Sequence, residues 1–445
     1  MTPITINRRH FLTMLGGAAA ASFINSELTH ASSDFIADIE LKLTAHTTTK
    51  KILPGKPTDV FSYKGTVIKG DPASLQAIPG AYLGPVLRLH KGQRVRIVFE
   101  NDIGFPSIIH WHGMHMPPEM DGHPRYAVNS GQTFIYEFIV SNRAGTYWFH
   151  PHPHEQTAEQ VIMGLAGLLI ITDDEEQTLK LPKDSCDLPI VIQDRSFDQD
   201  NQWKYIGSGM LGMMQRMTGF MGDQILINGT NNATLEVDTR AYRLRLLNGS
   251  NSRIYRLAWS DGNPLTVIAT DGGLLNKPER KESILLAPGE RVDLWVDFSH
   301  HKLGTELSLV HLPIENSTTQ NGMMRRMMSN TLLAVDESFS VVNIKVKNRE
   351  NAKDKLPEKL SDFSFYDRKN VVKHRIFKLT MEHMKPGINY RSFDMLEVAK
   401  DEIVKFNSLE IWEFQNDASN GMAAMPHPIH IHGLQFQILE RTVAH

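Results

Sequence analysis

The sequence has little cysteine, with a single thiol at Cys186 among 445 residues. One thiol excludes an intrachain disulfide framework and any zinc or iron–sulfur site built from several cysteines. The chain also lacks a strong charge of either sign: its formal net charge is −3, which gives no indication of a nucleic-acid partner. Beyond the N-terminal region no apolar run reaches the roughly 20 residues of a membrane-spanning helix, so no integral membrane segment is expected there.

Histidine and methionine are by contrast abundant, at 20 residues each. Imidazole and thioether groups are ligands that copper accepts. A first methionine group has helical spacing and is predicted to pack one face of a helix into a core, with copper handling as the alternative; it comprises Met210, Met213, Met214, Met217 and Met221. A second group is flanked by arginines and predicted to be exposed, and for it apolar packing and copper(I) handling both stay open; it comprises Met323, Met324, Met327 and Met328.

The N-terminus carries a pair of arginines, Arg8 and Arg9, before a short apolar run that ends near Phe23. A run this short is typical of a cleaved export signal and not of a membrane anchor. We therefore predict a twin-arginine signal peptide over residues 1–31, cleavage near Ala31 and a periplasmic protein. The alternative is a frayed helical N-terminus.

Apolar and polar residues alternate through much of the chain, as in the stretches 93–102, 133–138 and 242–248. A period of two is typical of half-buried β-strands, and glycine, proline, asparagine and aspartate separate the strands. The run 161–171 contains only apolar residues and glycine and is predicted to be a buried strand. The chain is therefore predicted to be all-β, with sandwich or barrel domains.

A weak internal repeat consists of three strand-like stretches that each end in asparagine or aspartate. They are "IVFEND" at 97–102, "LRLLNGS" at 244–250 and "IWEFQND" at 411–417. The repeat predicts three related β domains, at 35–175, 185–340 and 355–445. The charged stretch 347–360 lacks aromatic residues and is predicted to be the linker into the third domain.

Eleven of the 20 histidines lie in two short windows, 110–154 and 427–445. Residues i and i+2 of a strand point to the same face, so an H-x-H sequence presents two imidazoles side by side, as a metal ion needs. Three such pairs are present: His110 with His112, His150 with His152, and His430 with His432. We predict that they build a metal site.

His427 precedes His430 by three residues, an odd offset. On an extended strand it faces away from His430 and His432, so it is predicted to serve a second, separate metal site. Two metal sites joined by one short strand are an arrangement suited to electron transfer.

The stretches "HWHGMHMP", "YWFHPHPHEQTAEQVIMGLAGLLII" and "HPIHIHG" resemble the multicopper oxidases, especially bacterial three-domain laccase-like and cuprous oxidases. The stretch that begins "LRLLNGSNSRIYRLAW" resembles the second domain of that family, and the resemblance covers about residues 50–445. It implies three cupredoxin-like Greek-key β-barrel domains. It also implies copper in a type 1, a type 2 and a binuclear type 3 site.

The resemblance assigns roles by position in the motifs. His110 and His430 match type 2 ligands and His427 matches a type 1 ligand, whereas the type 3 pair is matched by His112, His150, His152 and His432. Asp121 in "EMDGHP" matches the acid that assists proton delivery; the alternative is a turn aspartate before Gly122. The implied reaction is one-electron oxidation of Cu(I) or phenols coupled to reduction of O2 to water, by a monomer.

The sequence departs from the family pattern in having no H-C-H motif, the source of the type 1 thiolate. Cys186 in "KDSCDLPI" has no histidine beside it and is predicted to be a structural or incidental thiol. We therefore expect a C-terminally truncated chain with an incomplete third domain, inactive as an oxidase because a blue-copper site needs a cysteine thiolate. The alternative is a non-catalytic periplasmic protein that uses a cupredoxin fold to bind copper or to act as a scaffold.

Overall fold

The computed structural model describes residues 34–314, 333, 336–382, 385–416 and 426–442. The predicted signal peptide, the second methionine group and His445 lie outside these residues.

Extended strands make up most of the regular structure in the described residues, which confirms the all-β prediction. In chain order the strands are β1 Ile39–Lys50, β2 Thr58–Lys69, β3 Leu75–Gln76, β4 Val86–His90, β5 Arg94–Asp102, β6 Ile109–His112, β7 Thr133–Ile139, β8 Gly145–Pro151, β9 Gly167–Thr172, β10 Asp187–Arg195, β11 Gln224–Ile227, β12 Thr230–Asn231, β13 Thr234–Val237, β14 Ala241–Asn248, β15 Tyr255–Trp259, β16 Leu265–Thr270, β17 Gly273–Lys281, β18 Ile284–Leu286, β19 Arg291–Asp297, β20 Glu306–His311, β21 Phe339–Val346, β22 Val371–Glu382, β23 Lys385–Ile388 and β24 Leu409–Asn416. The α-helices are α1 Thr157–Met163, α2 Asp174–Thr178 and α3 Gly209–Thr218, and short 3-10 turns cover Pro72–Ser74, Pro118–Met120, Pro124–Tyr126, Asp184–Cys186 and Arg368–Asn370.

The described residues form two compact units. The first takes its described residues from 1–315, 331–361 and 430–435. It holds four sheets, with strand orders β2-β1-β5-β7, β3-β4-β9-β8-β6, β12-β11-β10-β14-β19-β16-β17 and β13-β21-β20-β15-β18. The second takes its described residues from 362–429 and 436–445 and holds the sheet β23-β22-β24. Among the helices of the described residues, none is long and apolar enough to cross a membrane.

The three stretches of the internal repeat have the same kind of partner in their sheets. Strand β5 pairs in parallel with β1, β14 with β10, and β24 with β22. In each case the partner is an earlier strand, the first of that part of the chain. Parallel pairing needs a crossover connection, whereas neighbouring strands of these sheets otherwise pair mostly antiparallel. The three repeated stretches therefore occupy equivalent places.

Strand β5 shows why the alternating pattern succeeds. Val95, Ile97 and Phe99 are fully buried in a core that also takes in β6 and β8, whereas Arg94 and Arg96 are half-buried on the other face. Burying an apolar side chain of this size stabilises the fold by about 1.5–3 kcal/mol. This core lies directly behind the histidine-bearing strands.

Strand β14 departs from the prediction of a half-buried strand, because every one of its residues is buried. Leu244 and Leu246 enter the core of the second barrel, the part of the chain from β10 to β21, and the polar face of β14 carries Arg243 and Arg245. Arg243 donates to Asp293 Oδ2 from Nε at 2.9 Å and also pairs with Glu176, and Arg245 donates to Asp187 Oδ1 at 2.6 Å. These carboxylates allow the arginines to be buried.

The run 161–171 was predicted to be one strand, and that prediction is wrong in its first half. Residues up to Met163 complete helix α1, and β9 begins only at Gly167. Gly164 ends the helix with a φ of +127°, a backbone conformation that suits glycine. The apolar run is therefore divided between a helix and a buried strand.

The structure also bears on the predictions for Cys186, the first methionine group and the linker 347–360. Cys186 is a free, buried thiol in the core of the second barrel, beside residues such as Ile190. Four members of the first methionine group lie on helix α3, namely Met210, Met213, Met214 and Met217, whereas Met221 follows the end of the helix. The Met213 side chain is 56% exposed and is not part of a core. The predicted linker 347–360 contains no helix or strand, and at its end Leu360 is buried against Ile268.

Candidate metal centre

Two adjacent antiparallel strands, β6 and β8, carry the first histidine pairs. Their register places His110 opposite His150 and His112 opposite Trp148. The rings of His110 and His112 lie on one face with centroids 5.6 Å apart, while Trp111 points the other way into the hydrophobic core. The period-two argument is therefore confirmed for this pair.

His152 follows the end of β8, where its N–H donates to Ile108 O at 2.9 Å. Its ring centroid lies 5.4 Å from that of His110 and 6.0 Å from that of His150. The "HPH" stretch thus brings its second histidine to the same place although only His150 and Pro151 belong to the strand.

The third pair reaches the cluster without strand structure. Residues 426–433 form no helix or strand, so the strand predicted for "HPIHIHG" is wrong. His430 nevertheless stacks on His112 with centroids 3.7 Å apart, and His432 stacks on His110 at 3.8 Å. The segment is held through its own side chains, those of His432 and Gln435, and not by a backbone ladder. It can therefore bring both histidines to the cluster without being a strand.

The candidate ligand atoms converge closely. Two triplets have all their ligand atoms within 4.8 Å of one another: His110, His112 and His150, and His110, His430 and His432. The Nε2 atoms of His110 and His430 lie 3.2 Å apart, and His112 Nδ1 lies 3.3 Å from His150 Nε2. Two nitrogens that each bind one ion at about 2.0–2.1 Å are separated by similar distances.

Oxygen acceptors determine which nitrogen of several rings faces the cluster. His110 Nδ1 donates to the Asp121 carbonyl at 2.7 Å, and His150 Nδ1 donates to the Pro151 carbonyl at 2.9 Å. His432 Nδ1 donates to the Asp121 carboxylate at 2.7 Å. Since Nδ1 carries the proton in each case, the Nε2 lone pair is left for a metal ion.

Asp121 is held in place by the glycine that follows it. Gly122 has a φ of +83°, and a Cβ built there would lie 2.1 Å from the carbonyl oxygen of Ile109 in β6. Only glycine permits this approach. The two interpretations of Asp121 offered by the sequence are thus compatible: it lies in a turn before glycine, and it also contacts two cluster histidines.

The electrostatics keep the buried imidazoles neutral. Burial, reinforced by the neighbouring histidines, holds the pKa of His110 and of His112 well below the usual 6.5. The same causes, in the same order, lower the pKa of His150 to about 3 and that of His152 to about 4. Neutral imidazole is the form that binds metal, so the site is ready for an ion at neutral pH.

His427 is not brought into either ligand triplet. It belongs to the second compact unit and is exposed, with a pKa lowered by partial burial. Among the described residues, no group of candidate ligands includes His427, so its role at a separate metal site stays a prediction.

Two contributors were missed by sequence reasoning. Trp148 lies against the cluster, with its ring centroid 4.3 Å from that of His150 and 5.0 Å from that of His112. Gly289, in a turn of the second barrel, approaches His112 so closely that a Cβ there would lie 3.1 Å from His112 Cε1. The "APGE" stretch indicated only a turn, since a one-dimensional pattern does not show which barrel packs on the histidines.

The residues present fit copper. The donors are imidazole nitrogens, which copper accepts, and their second nitrogens are bonded to carbonyl or carboxylate oxygens, as is usual around metal-binding histidines. The Nε2 atoms of His110 and His430 face each other in a partly buried place, where one ion could accept a bond from each. This chemistry, set in β-barrels, defines a multi-histidine metalloprotein of copper type.

Comparisons with known proteins agree with that class. Two models of protein families, both described as multicopper oxidase, match residues 61–176 and 367–445. A multicopper oxidase of Staphylococcus haemolyticus is 33% identical over 362 residues, which are 81% of this chain and 70% of the relative. The cell division protein FtsP of Photorhabdus laumondii is 30% identical over 372 residues, which are 83% of this chain and 73% of that protein.

Solved structures give the same result. The McoA multicopper oxidase of Aquifex aeolicus is 36% identical, with a TM-score of 0.66, and the alignment covers 80% of this chain and 72% of that one. A multicopper oxidase of Pediococcus acidilactici is 29% identical, with a TM-score of 0.71 over 93% of this chain and 80% of that one. The chain belongs to the multicopper oxidase family, and its fold is that family's cupredoxin-like all-β architecture.

Proposed function

We propose that this chain binds copper at the histidine cluster and serves as a multicopper oxidase that couples one-electron oxidation of Cu(I) or phenols to reduction of O2 to water. The observation that carries the proposal is the convergence of six imidazoles from three separate stretches. They are His110, His112, His150, His152, His430 and His432. A scaffold without a metal would need no such convergence.

We assign His110 and His430 to a type 2 copper because their Nε2 atoms face each other at 3.2 Å. The type 3 pair would be held by His112, His150, His152 and His432, a set supported by the 3.3 Å approach of His112 Nδ1 to His150 Nε2. When bound, copper at such a cluster supplies the redox capacity for O2 reduction. The chain's own residues fix the ligand tautomers and exclude water from the buried side.

Asp121 is proposed to deliver protons. Its carboxylate accepts from His432 Nδ1 at 2.7 Å and is only 11% exposed, whereas the His432 side chain is 38% exposed. The carboxylate therefore stands between a ligand on the open side and the buried His110, whose Nδ1 bonds the Asp121 carbonyl. A carboxylate in that position can take a proton from solvent and release it beside the cluster.

The residues needed for electron entry from substrate are incomplete in these 445 residues. His427 is proposed as a type 1 ligand, but a blue-copper site also needs a thiolate, and the one cysteine, Cys186, is buried in the core of the second barrel. We propose that these 445 residues bind copper at the cluster but, without a type 1 thiolate, are inactive as an oxidase.

A second candidate function is a non-catalytic copper-binding or scaffold protein. The Photorhabdus laumondii relative named cell division protein FtsP favours it, since it is aligned over 83% of this chain, about as much as the Staphylococcus haemolyticus multicopper oxidase at 81%. The intact histidine cluster favours the oxidase, because a scaffold does not need buried neutral imidazoles. The test is a chemical reductant that reduces the cluster copper directly, since that route needs no type 1 thiolate. Copper that is reduced in this way without any O2 consumption would favour the second candidate.

The remaining parts of the proposal concern the whole chain. We propose export to the periplasm by the twin-arginine route, a monomer, and domain limits at 35–175, 185–340 and 355–445. The exposed Met213 on α3 supports copper(I) handling by the first methionine group more than core packing.

The test is copper loading of the full chain. We expect tight copper binding that is lost in His110→Ala and kept in His374→Ala, since His374 is exposed and lies on β22 outside the cluster. Metal analysis counts the copper, electron paramagnetic resonance identifies it, and an oxygen electrode follows O2 with Cu(I) or a phenol. A parent chain that binds no copper would refute the proposal.

A further inference from the structure

The segment His430–Gln435 carries two candidate ligands but belongs to no helix or strand. Within the described residues, no backbone ladder fixes its register against β6. Something else must hold it, because a shift of one residue would replace His430 and His432 at the cluster by their neighbours.

Side chains make the connection to the first barrel. The three contacts are His430 Nε2 to His110 Nε2 at 3.2 Å, His432 Nδ1 to Asp121 Oδ2 at 2.7 Å, and Gln435 Nε2 to the Gly113 carbonyl at 2.7 Å. The first contact joins two ring nitrogens of the cluster, and a metal ion bound between them would replace it. The other two contacts anchor the segment whether or not metal is bound.

The acceptor of the Gln435 bond is rigid. The Gly113 carbonyl also accepts from Asn142 Nδ2 at 3.0 Å, and Asn142 is 2% exposed. Gly113 has a φ of +87°, and a Cβ there would lie 2.7 Å from Nη2 of the buried Arg291. The carbonyl is thus fixed one residue after His112.

We propose that Gln435 is a positioning residue of the metal centre. Its side-chain amide sets the register of the His430–Gln435 segment against Gly113, so that His430 faces His110 and His432 faces Asp121. The inference rests on the proposed copper function of the cluster. It assigns a role to a side chain that binds no metal itself.

The test uses the full chain and Cu(II) alone. Gln435→Glu keeps the length of the side chain but removes the N–H donor and places a carboxylate beside the Gly113 carbonyl. We expect the Kd for Cu(II), measured by competition with a chelator, to rise 10- to 100-fold, as for other residues that orient metal ligands. The hyperfine pattern of the bound Cu(II) should change as well.

Gln437, two residues further along, is the matched control, since its half-buried side chain accepts a hydrogen bond from the Tyr366 N–H and does not contact the cluster. Gln437→Glu should leave the Kd and the spectrum unchanged. The unfolding midpoint of copper-free Gln435→Glu should fall by no more than about 4 °C, the effect of one hydrogen bond in a chain of this size. If Gln435→Glu fails to fold, Gln435→Asn, with an amide one methylene too short, should raise the Kd in the same direction.

The outcomes separate the two proposals. Copper binding by the parent with an unchanged Kd and spectrum in Gln435→Glu would overturn the positioning role. A lower unfolding midpoint with an unchanged spectrum would also overturn it, because Gln435 would then be only structural. A parent chain that binds no Cu(II) would instead overturn the proposed function.

Discussion

The carboxylate of Asp121 lies 2.7 Å from Nδ1 of His432, a residue 311 positions further along the chain. The same aspartate accepts from His110 through its backbone carbonyl. One residue therefore orients two candidate ligands from distant stretches, by its side chain and its main chain separately. Substitution of the side chain removes the bond to His432 and the 3.5 Å approach of Asp121 Oδ1 to His110 Nδ1, but it leaves the carbonyl bonded to His110.

Asp121→Ala removes the acceptor for His432 and keeps the carbonyl bonded to His110. We expect copper affinity to fall about 10- to 100-fold. Asp121→Asn retains an acceptor oxygen without the charge, so copper affinity should fall less than in Asp121→Ala. O2 reduction by the copper-loaded chain, with a chemical reductant as electron donor, should still slow, because the amide holds no transferable proton. Equal copper affinities for parent and Asp121→Ala, measured by chelator competition, would contradict the assignment.

Arg243→Met tests the buried ion pairs that join β14 to helix α2 and to β19. The substitution removes one of the two guanidinium groups that Asp293 and Glu176 share and leaves only that of Arg245, so the free energy of unfolding should fall by about 3–5 kcal/mol. The control is Lys345→Met, which breaks an exposed, solvent-screened pair with Glu306 and should lower the free energy of unfolding far less. Denaturant unfolding gives both values, and similar losses in the two variants would show the network to be weak.

The sequence predicted the parts of the site that depend on local pattern. Period two correctly placed His110 and His112 on one face of β6 with Trp111 opposite. It failed for His430 and His432, whose segment forms no strand, because side chains and not a ladder hold it. The same failure removes the geometric basis for placing His427 on the opposite face of a strand.

The alternating sequence pattern also did not indicate which strand faces are buried by parts of the chain distant in sequence. Strand β14 alternates like a half-exposed strand, yet Arg243 and Arg245 are buried because three carboxylates, distant in sequence, surround them. Trp148 gave no signal of its place beside His150, since aromatic residues are common on any strand. A pattern indicates which residues share a face but not what covers that face.

Lowering the pH should destabilise the copper-free chain. Burial lowers the pKa of His150 to about 3, below its unfolded value near 6.5, so the unfolded state binds the extra proton between these values. Stability is therefore fully present above about pH 6.5 and is lost as pH falls toward 3, by up to about 1.4 kcal/mol per pH unit for this group. His150→Gln should flatten the dependence of the unfolding free energy on pH, and an unchanged slope would contradict the burial argument.

Gly122→Ala tests the turn that presents Asp121. The new Cβ would lie 2.1 Å from the Ile109 carbonyl oxygen, a contact with backbone that the protein must relieve by moving the turn. We expect the unfolding free energy to fall by more than the roughly 1–2 kcal/mol that a left-handed φ costs an alanine, together with weaker copper binding.

Gly131 provides the matched comparison, because its φ of +85° is nearly the same and nothing lies within 4 Å of its Cβ position. Gly131→Ala should cost only the backbone term and leave copper affinity unchanged. The difference between the two variants, measured by denaturant unfolding and chelator competition, isolates the contact between the Asp121 turn and β6. If both variants lost the same stability and neither lost copper affinity, the close approach of Gly122 to Ile109 would not be what positions Asp121.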